Sequence, residues 1–352
     1  MRSYSMIIGI GLLWAAQGIQ AKPRQSVQYT VTPIDFPGSG GTTMVTGNNN
    51  AGAIIGGVTS SSQQTRGFIE LLGIYSWLPS PACKTAVCDT TPLAINSLGD
   101  IAGEFSDDVQ HRAVFVIRGG LLLQLIRVPS SSNLSLLGGL NDRGDVVGFF
   151  QTDSGVIRMF EYSGLKLSVP AVPTDFVDVA AKAINNSGQI TGSYDNATGL
   201  HGFLDTRGTF TRLDVPGGLD TSPVAINKSG DLAGNYSMLS SAGVLVQRGF
   251  LFTRRQYTSV DFPGGSNTLP SALNDAGTVA GTYEDPAVPA PFNTNAFVFQ
   301  RGKYVRLPLP GAAQSVGAIN SRGEVVGTYF DPGCPFSCTV HGFRATPAHA
   351  ER

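Results

Sequence analysis

The chain has 352 residues, with 24 Lys plus Arg against 25 Asp plus Glu and a formal net charge of −1. No basic stripe or Lys/Arg run interrupts that balance, which argues against a nucleic-acid partner. Only 14% of residues are charged, while 44 Gly and 21 Pro supply turns and 41% hydrophobic residues suffice for a core.

In chain order, residues 1–21 come first. Arg2 gives a charged start, Met6 to Ala16 is an apolar run, and Ile19-Gln20-Ala21 is an acceptable cleavage site. That pattern reads as a secretory signal peptide, because the apolar run is too short to span a bilayer. The expected location is secreted or periplasmic. No later apolar run reaches spanning length, so no membrane span is expected.

From there the chain repeats itself. The pattern Asn-x-x-Gly-x-x-x-Gly occurs at Asn49/Gly52/Gly56, Asn96/Gly99/Gly103, Asn141/Gly144/Gly148 and Asn185/Gly188/Gly192. It returns at Asn227/Gly230/Gly234, Asn274/Gly277/Gly281 and Asn320/Gly323/Gly327. The steps between successive first Gly are 47, 45, 44, 42, 47 and 46 residues. Asn opening a turn and Gly closing it fit a type I turn, with the Asn side chain bonding the local backbone and Gly taking the left-handed region. Together they predict a three-residue hairpin with a Gly bulge, so each Asn and first Gly form one structural pair. The second Gly falls inside a strand, where close backbone packing or a bulge must be crowding that point.

Two more strands complete each unit. One carries an aromatic patch, as at Arg66-Gly67-Phe68, His201-Gly202-Phe203, Arg248-Gly249-Phe250, Asn295-Ala296-Phe297 and His341-Gly342-Phe343. The next ends in Pro-Gly, as at Pro37-Gly38, Pro216-Gly217 and Pro263-Gly264. Four short strands at this period are the mark of a propeller blade. A lone four-stranded meander cannot bury both faces, and stacking blades around an axis does so. The prediction is all-β: a seven-bladed β-propeller of four-stranded antiparallel blades, one domain over 28–345, with a surface tail over 346–352. The chain starts on a Pro-Gly strand and ends on an aromatic one. The N-terminal strand is therefore expected to close the ring beside the last copy.

Candidate sites fall on the same frame. Cys83/Cys88 and Cys334/Cys338 form two local pairs, which an exported chain would join as disulfides. A joint four-Cys zinc site and a redox pair are the alternatives to those disulfides. Arg143-Gly144-Asp145 spells an adhesion tripeptide but lies on a repeat turn, which explains Gly144 and Asp145. His201 and His341 share a repeat position that Arg or Asn fills elsewhere, which predicts a hydrogen-bond donor at a strand start; His111 falls one residue out of register. Carboxylates follow the second Gly at Glu104, Asp107-Asp108, Asp153, Asp195, Glu284-Asp285 and Asp331. Their offsets vary and no calcium-loop pattern appears, so solvated loops are the expectation and no cofactor is implied, with calcium as the alternative weighed for these oxygens. No Gly-rich phosphate loop or Gly-x-Ser-x-Gly elbow occurs.

The stretch Ala183-Ile184-Asn185-Asn186-Ser187-Gly188-Gln189-Ile190-Thr191-Gly192, followed by His201-Gly202-Phe203, resembles the bacterial extracellular repeat family named for a His-Ala-Phe motif, the HAF family. The resemblance covers about 28–345, nearly all of the expected mature chain. It is specific for the Asn-Gly-Gly core and weaker for the name motif, whose middle residue here is mostly Gly. It implies a secreted bacterial repeat protein and brings no catalytic residues. The functional expectation is a binding or scaffold module for a carbohydrate, peptide or cell-surface partner. The competing expectation is an extracellular glycan hydrolase or lyase, which needs carboxylates from different blades at one mouth. A third is a purely structural surface repeat. Loops that break the repeat, 79–91, 285–295 and 331–340, are where specificity is expected.

Overall fold

The computed structural model describes residues 27–39, 41–80, 88–107, 112–128, 131–331 and 338–348. These form seven four-stranded antiparallel sheets and no helix, a seven-bladed β-propeller. Six blades are consecutive in sequence, over 42–77, 88–126, 131–168, 177–213, 220–259 and 266–306. The seventh takes three strands from 313–347 and its fourth from the N-terminal strand Tyr29–Ile34, which pairs antiparallel with Val340–Pro347. The expected ring closure is thus present, and the two ends of the propeller share one sheet. The last strand runs to Pro347, which pairs with Tyr29, so 346 and 347 belong to the sheet rather than to a tail.

Within each blade the strand before the Asn turn is innermost. First strands meet first strands around the axis, and the turn asparagines line its mouth. The seven turns share one geometry. The Asn carbonyl accepts from the Gly amide three residues on, and the Asn amide donates to the carbonyl four on. Gly52, Gly99, Gly144, Gly188, Gly230, Gly277 and Gly323 all have φ between 74° and 91°. Only a residue without Cβ takes that φ freely, which accounts for the Gly that closes every turn.

The second Gly has a different cause. Each lies directly across from a third-strand Phe: Gly56 from Phe68, Gly148 from Phe160, Gly192 from Phe203, and so through the ring. Opposite it, every first strand carries a register shift, as between Val45 and Gly47 or Ala181 and Ala183. The bulge pushes a carbonyl over the Gly, so that a Cβ on Gly148 would stand 2.1 Å from the Leu136 oxygen and 2.7 Å from the Phe160 ring. The seven Phe rings fill the space so made and are all essentially inaccessible. Blades then pack by size complementarity. The third-strand residue before each Phe faces the bulge residue of the next blade: Gly67 meets Pro92, Gly202 meets Pro223, Gly249 meets Pro270, and Met159 packs with Ala181. Proline is tolerated there because the innermost strand is an edge.

Candidate functional site

The repeat asparagines converge on the axis and bond to one another. Asn49 Nδ2 donates to the Asn96 carbonyl at 3.1 Å, Asn96 to Asn141 at 3.0 Å, Asn141 to Asn185 at 3.2 Å, and Asn185 to Asn227 at 3.0 Å. Asn227 continues to Asn274 at 3.3 Å, Asn274 to Asn320 at 2.9 Å, and Asn320 returns to Asn49 at 3.1 Å. The circuit closes. Each Oδ1 meanwhile accepts the backbone amides two and four residues on, at 2.9 to 3.1 Å, as Asn96 does from Leu98 and Asp100. All seven side chains are buried and their polar atoms are used, so the ring is a clasp rather than a ligand set.

The turn glycines, paired with these asparagines in the repeat, part from them in space. Gly52, Gly99, Gly144, Gly188, Gly230, Gly277 and Gly323 do not line the axial mouth, whereas all seven asparagines do. Each hairpin turns its Asn toward the axis and its Gly away from it. Four of the glycines lie against a side chain of a neighbouring blade. A Cβ on Gly52 would stand 3.1 Å from Arg322 Nη2, one on Gly144 1.8 Å from Arg118 Nη2, one on Gly188 2.8 Å from Arg143 Nη2, and one on Gly230 3.0 Å from Gln189 Oε1. Gly99 and Gly277 face open space, and Gly323 looks at Pro347 and the Tyr29 hydroxyl from 3.7 Å. The repeat pair therefore divides into an inner Asn that joins blades and an outer Gly that only shapes backbone, so these seven glycines are turn residues and not part of the candidate site.

Above the clasp opens a funnel of about 200 Å³. Its upper tier is the residue after each Asn: Asn50, Ser97, Asp142, Asn186, Lys228, Asp275 and Ser321. Several reach sideways to the next blade. Asp142 Oδ1 accepts the Ser97 amide, Asn186 Oδ1 the Asp142 amide, Asp275 Oδ1 the Lys228 amide, and Asn50 Oδ1 the Ser321 amide. The residue before each Asn also lines the funnel. It is Ile95, Leu140, Ile184, Ile226, Leu273 and Ile319 in six blades and Asn48 in the other. Asn48 Nδ2 donates to the Glu324 carbonyl at 3.0 Å, whereas its buried Oδ1 has no hydrogen-bond partner. Neither Asn48 nor the upper tier was among the candidates from sequence. The signal was there for Asn48, since six copies read Ile or Leu at that position.

The other singled-out residues fall elsewhere. His201 Nδ1 pairs with Asp214 at 2.8 Å and His341 Nδ1 with Asp35 at 3.1 Å, while Arg248 in the same repeat position reaches Asp261 at 2.7 Å. In these three blades the donor position is a latch between the third strand and the end of the fourth, whereas Arg66 lies over the Trp77 ring and Asn295 donates to the Asn293 carbonyl. His111 and Asp108 lie outside the described residues, and Asp107 closes a second strand. Arg143 is bound to Asp145 and to the Asn186 carbonyl, so the tripeptide is turn scaffolding. Cys88 and Cys338 are each disulfide-bonded, and Cys83 and Cys334 lie outside the described residues.

The carboxylates Asp153, Asp195, Glu284, Asp285 and Asp331 sit at or beside second-to-third-strand connections on the face opposite the funnel, Glu284 and Asp285 together and the others on separate blades, while Glu104 lies in the middle of a second strand. Among the described residues no group of three or more His, Cys, Asp or Glu is placed to hold a metal. Burial raises the Glu104 carboxyl above its usual range, against a bond from the Leu137 amide and the Arg112 charge. Burial also raises Asp195, helped by the charges of Asp178 and Asp220 and opposed by His201. At the turns the balance reverses. Burial opposes ionisation of Asp145, but bonds from Ser163, Asn141 and Arg143 outweigh it and hold the carboxyl low. Lys182, on an innermost strand, is pushed below the usual lysine range by burial and donates to Ser222 Oγ at 2.6 Å.

No family model and no curated relative matches the chain. Solved structures do. A virginiamycin B lyase from Staphylococcus aureus superposes with a TM-score of 0.55 at 11% identity, over 91% of this chain and 99% of that one. The β-propeller domain of the Trilobed protease from Pyrococcus furiosus gives 0.54 at 10%, over 86% and 93%. A prolyl endopeptidase gives 0.56 at 13%, over 86% of this chain and 47% of that one. At such identities the likeness is one of fold.

Proposed function

We propose that this chain is a secreted HAF-type repeat propeller whose axial funnel binds a terminal sugar unit of a glycan. The observation that carries the reading is Asn48. A buried acceptor without a partner is costly, on the order of 1–3 kcal/mol, and an Ile or Leu at its place would remove that cost. The six other blades have that Ile or Leu. A hydroxyl donor entering the funnel would satisfy Asn48 Oδ1, with Asp142, Asp275, Asn186 and Lys228 around the rim to engage further hydroxyls. A funnel of about 200 Å³ suits one sugar ring rather than a long chain.

The test is a glycan and peptide array on the chain from residue 22 onward, with calcium and with chelator, followed by calorimetric titration of the hits. The expected result is sugar binding indifferent to chelator and weakened at least tenfold by Asn48→Leu, a variant that should melt no lower than wild type. Undiminished binding by Asn48→Leu, or capture of peptides alone, sinks the reading. A second reading, an extracellular glycan hydrolase or lyase, has one observation behind it: Asp195 of blade 4, its carboxyl raised, stands near Asp220 of blade 5. Release of new reducing ends from array hits, lost in Asp195→Asn, would establish that reading instead.

A further inference from the structure

The funnel face carries a second feature, independent of Asn48. Third-to-fourth-strand hairpins of blades 1 to 6 end on this face in two-residue turns that hold positive φ: Leu72-Gly73, Gly119-Gly120, Gly164-Leu165, Arg207-Gly208, Arg254-Arg255 and Arg301-Gly302. Such turns strongly prefer Asn, Asp or Gly, because a bulkier residue there is strained. Leu72, Leu165, Arg207, Arg254, Arg255 and Arg301 nevertheless occupy them, and strain retained at an exposed tip points to a use for the side chain.

The tips are sorted by chemistry. Blades 1 to 3 present Leu72, Ile74, Leu121 and Leu165, which are 87%, 71%, 74% and 64% exposed, with one cation, Lys166, beside Leu165. Blades 4 to 6 present Arg207, Arg254, Arg255, Arg301 and Lys303, all exposed. The four arginines form no salt bridge among the described residues. The opposite face mixes Asp153, Asp175, Asp214, Asp285 and Asp331 with exposed Arg112, Arg127, Arg158, Arg212 and Arg306, whereas the hairpin tips hold no exposed carboxylate. An arc of leucines beside an arc of cations, with no exposed carboxylate at the tips, matches a surface that is anionic outside and apolar just beneath.

We infer that the funnel face docks on an anionic phospholipid bilayer, with the leucine tips entering the headgroup boundary and the arginine tips on lipid phosphates. The leucines favour lipid over nucleic acid, which would use the cations and leave the apolar arc in water.

The experiment is co-sedimentation of the chain from residue 22 onward with phosphatidylcholine vesicles and with phosphatidylcholine–phosphatidylglycerol vesicles, at low and high salt. Binding is expected only to the anionic vesicles and to weaken as salt screens it. Arg207→Glu/Arg255→Glu/Arg301→Glu should lower partitioning at least tenfold, and so should Leu72→Ser/Leu121→Ser/Leu165→Ser. These tips are exposed, so both variants should keep the wild-type melting temperature. Asn48→Leu should bind vesicles as wild type does, which separates this inference from the sugar-binding reading. Equal binding to both vesicle types, binding that ignores the leucine changes, or a concentration-dependent dimer that the leucine changes dissolve would overturn it.

Discussion

At the scale of the residue, the clasp explains why Asn recurs without exception at one position. The turn needs a side-chain oxygen that reaches two backbone amides, and the neighbouring blade needs a side-chain N–H for its carbonyl. Asp offers only the first and Lys only the second; Gln is one bond too long for the same turn. The local half of this role was legible, because Asn-x-x-Gly is a turn signature. The half that joins blades was not, since a periodicity does not say which strand faces the axis. For the same reason the seven turn glycines could be read as turn residues but not placed outside the funnel. Asn274 isolates the effect, because its Nδ2 bonds the Asn320 carbonyl and no local side chain among the described residues, while Oδ1 serves Ala276 and Thr278. Asn274→Ala leaves those groups buried and unpaired, and should cost about 1–3 kcal/mol by denaturant titration. An unchanged midpoint would mean that the circuit of amides adds nothing to stability.

At the scale of the element, one bulge, one Gly and one Phe make a blade. The bulge drives a first-strand carbonyl against the second strand, the Gly yields room, and the Phe ring covers the Gly from the third strand. A strand Gly is ordinarily weak for want of a side chain to pack, and an aromatic partner across the ladder compensates. The crowding at this Gly could be anticipated from its seven-fold register, but not its source, because a bulge leaves no mark of its own in a sequence of apolar residues. The latch reads differently again. Its donor position could be recognised from His201, Arg248 and His341, while its acceptors lie just past another strand, Asp214 and Asp261 13 residues on and Asp35 at the far end of the chain. Gly192→Ala tests the triad where it is tightest, since the new Cβ would stand 1.9 Å from the Ala180 carbonyl oxygen. Backbone cannot step aside as a side chain can, so destabilisation of about 1–3 kcal/mol or more is expected. A variant melting with wild type would show that the first strand is free to move and that crowding does not explain the Gly.

At the scale of the whole molecule, the question is how a ring of seven weakly sufficient units holds shut. Six seams are crossed by continuous chain. The seventh depends on the strand Tyr29–Ile34, which supplies the outer edge of blade 7 and ends with Ile34 buried against Val45 and Val326. Phe36, two residues further on, stacks on Trp77 at 3.9 Å in blade 1, so the same segment bridges the seam twice. Without that strand, Val340–Pro347 becomes an open edge with unpaired backbone groups, a template for pairing between chains. A chain beginning at residue 35 should therefore lose the single sharp thermal transition of one beginning at residue 22 and aggregate on heating. A synthetic peptide spanning 27–34, added in excess, should restore part of the loss by binding the folded edge, in proportion to its concentration. If the shortened chain melts in one transition at the same temperature, the six remaining seams and the asparagine clasp hold the circle by themselves, and the terminal strand is dispensable.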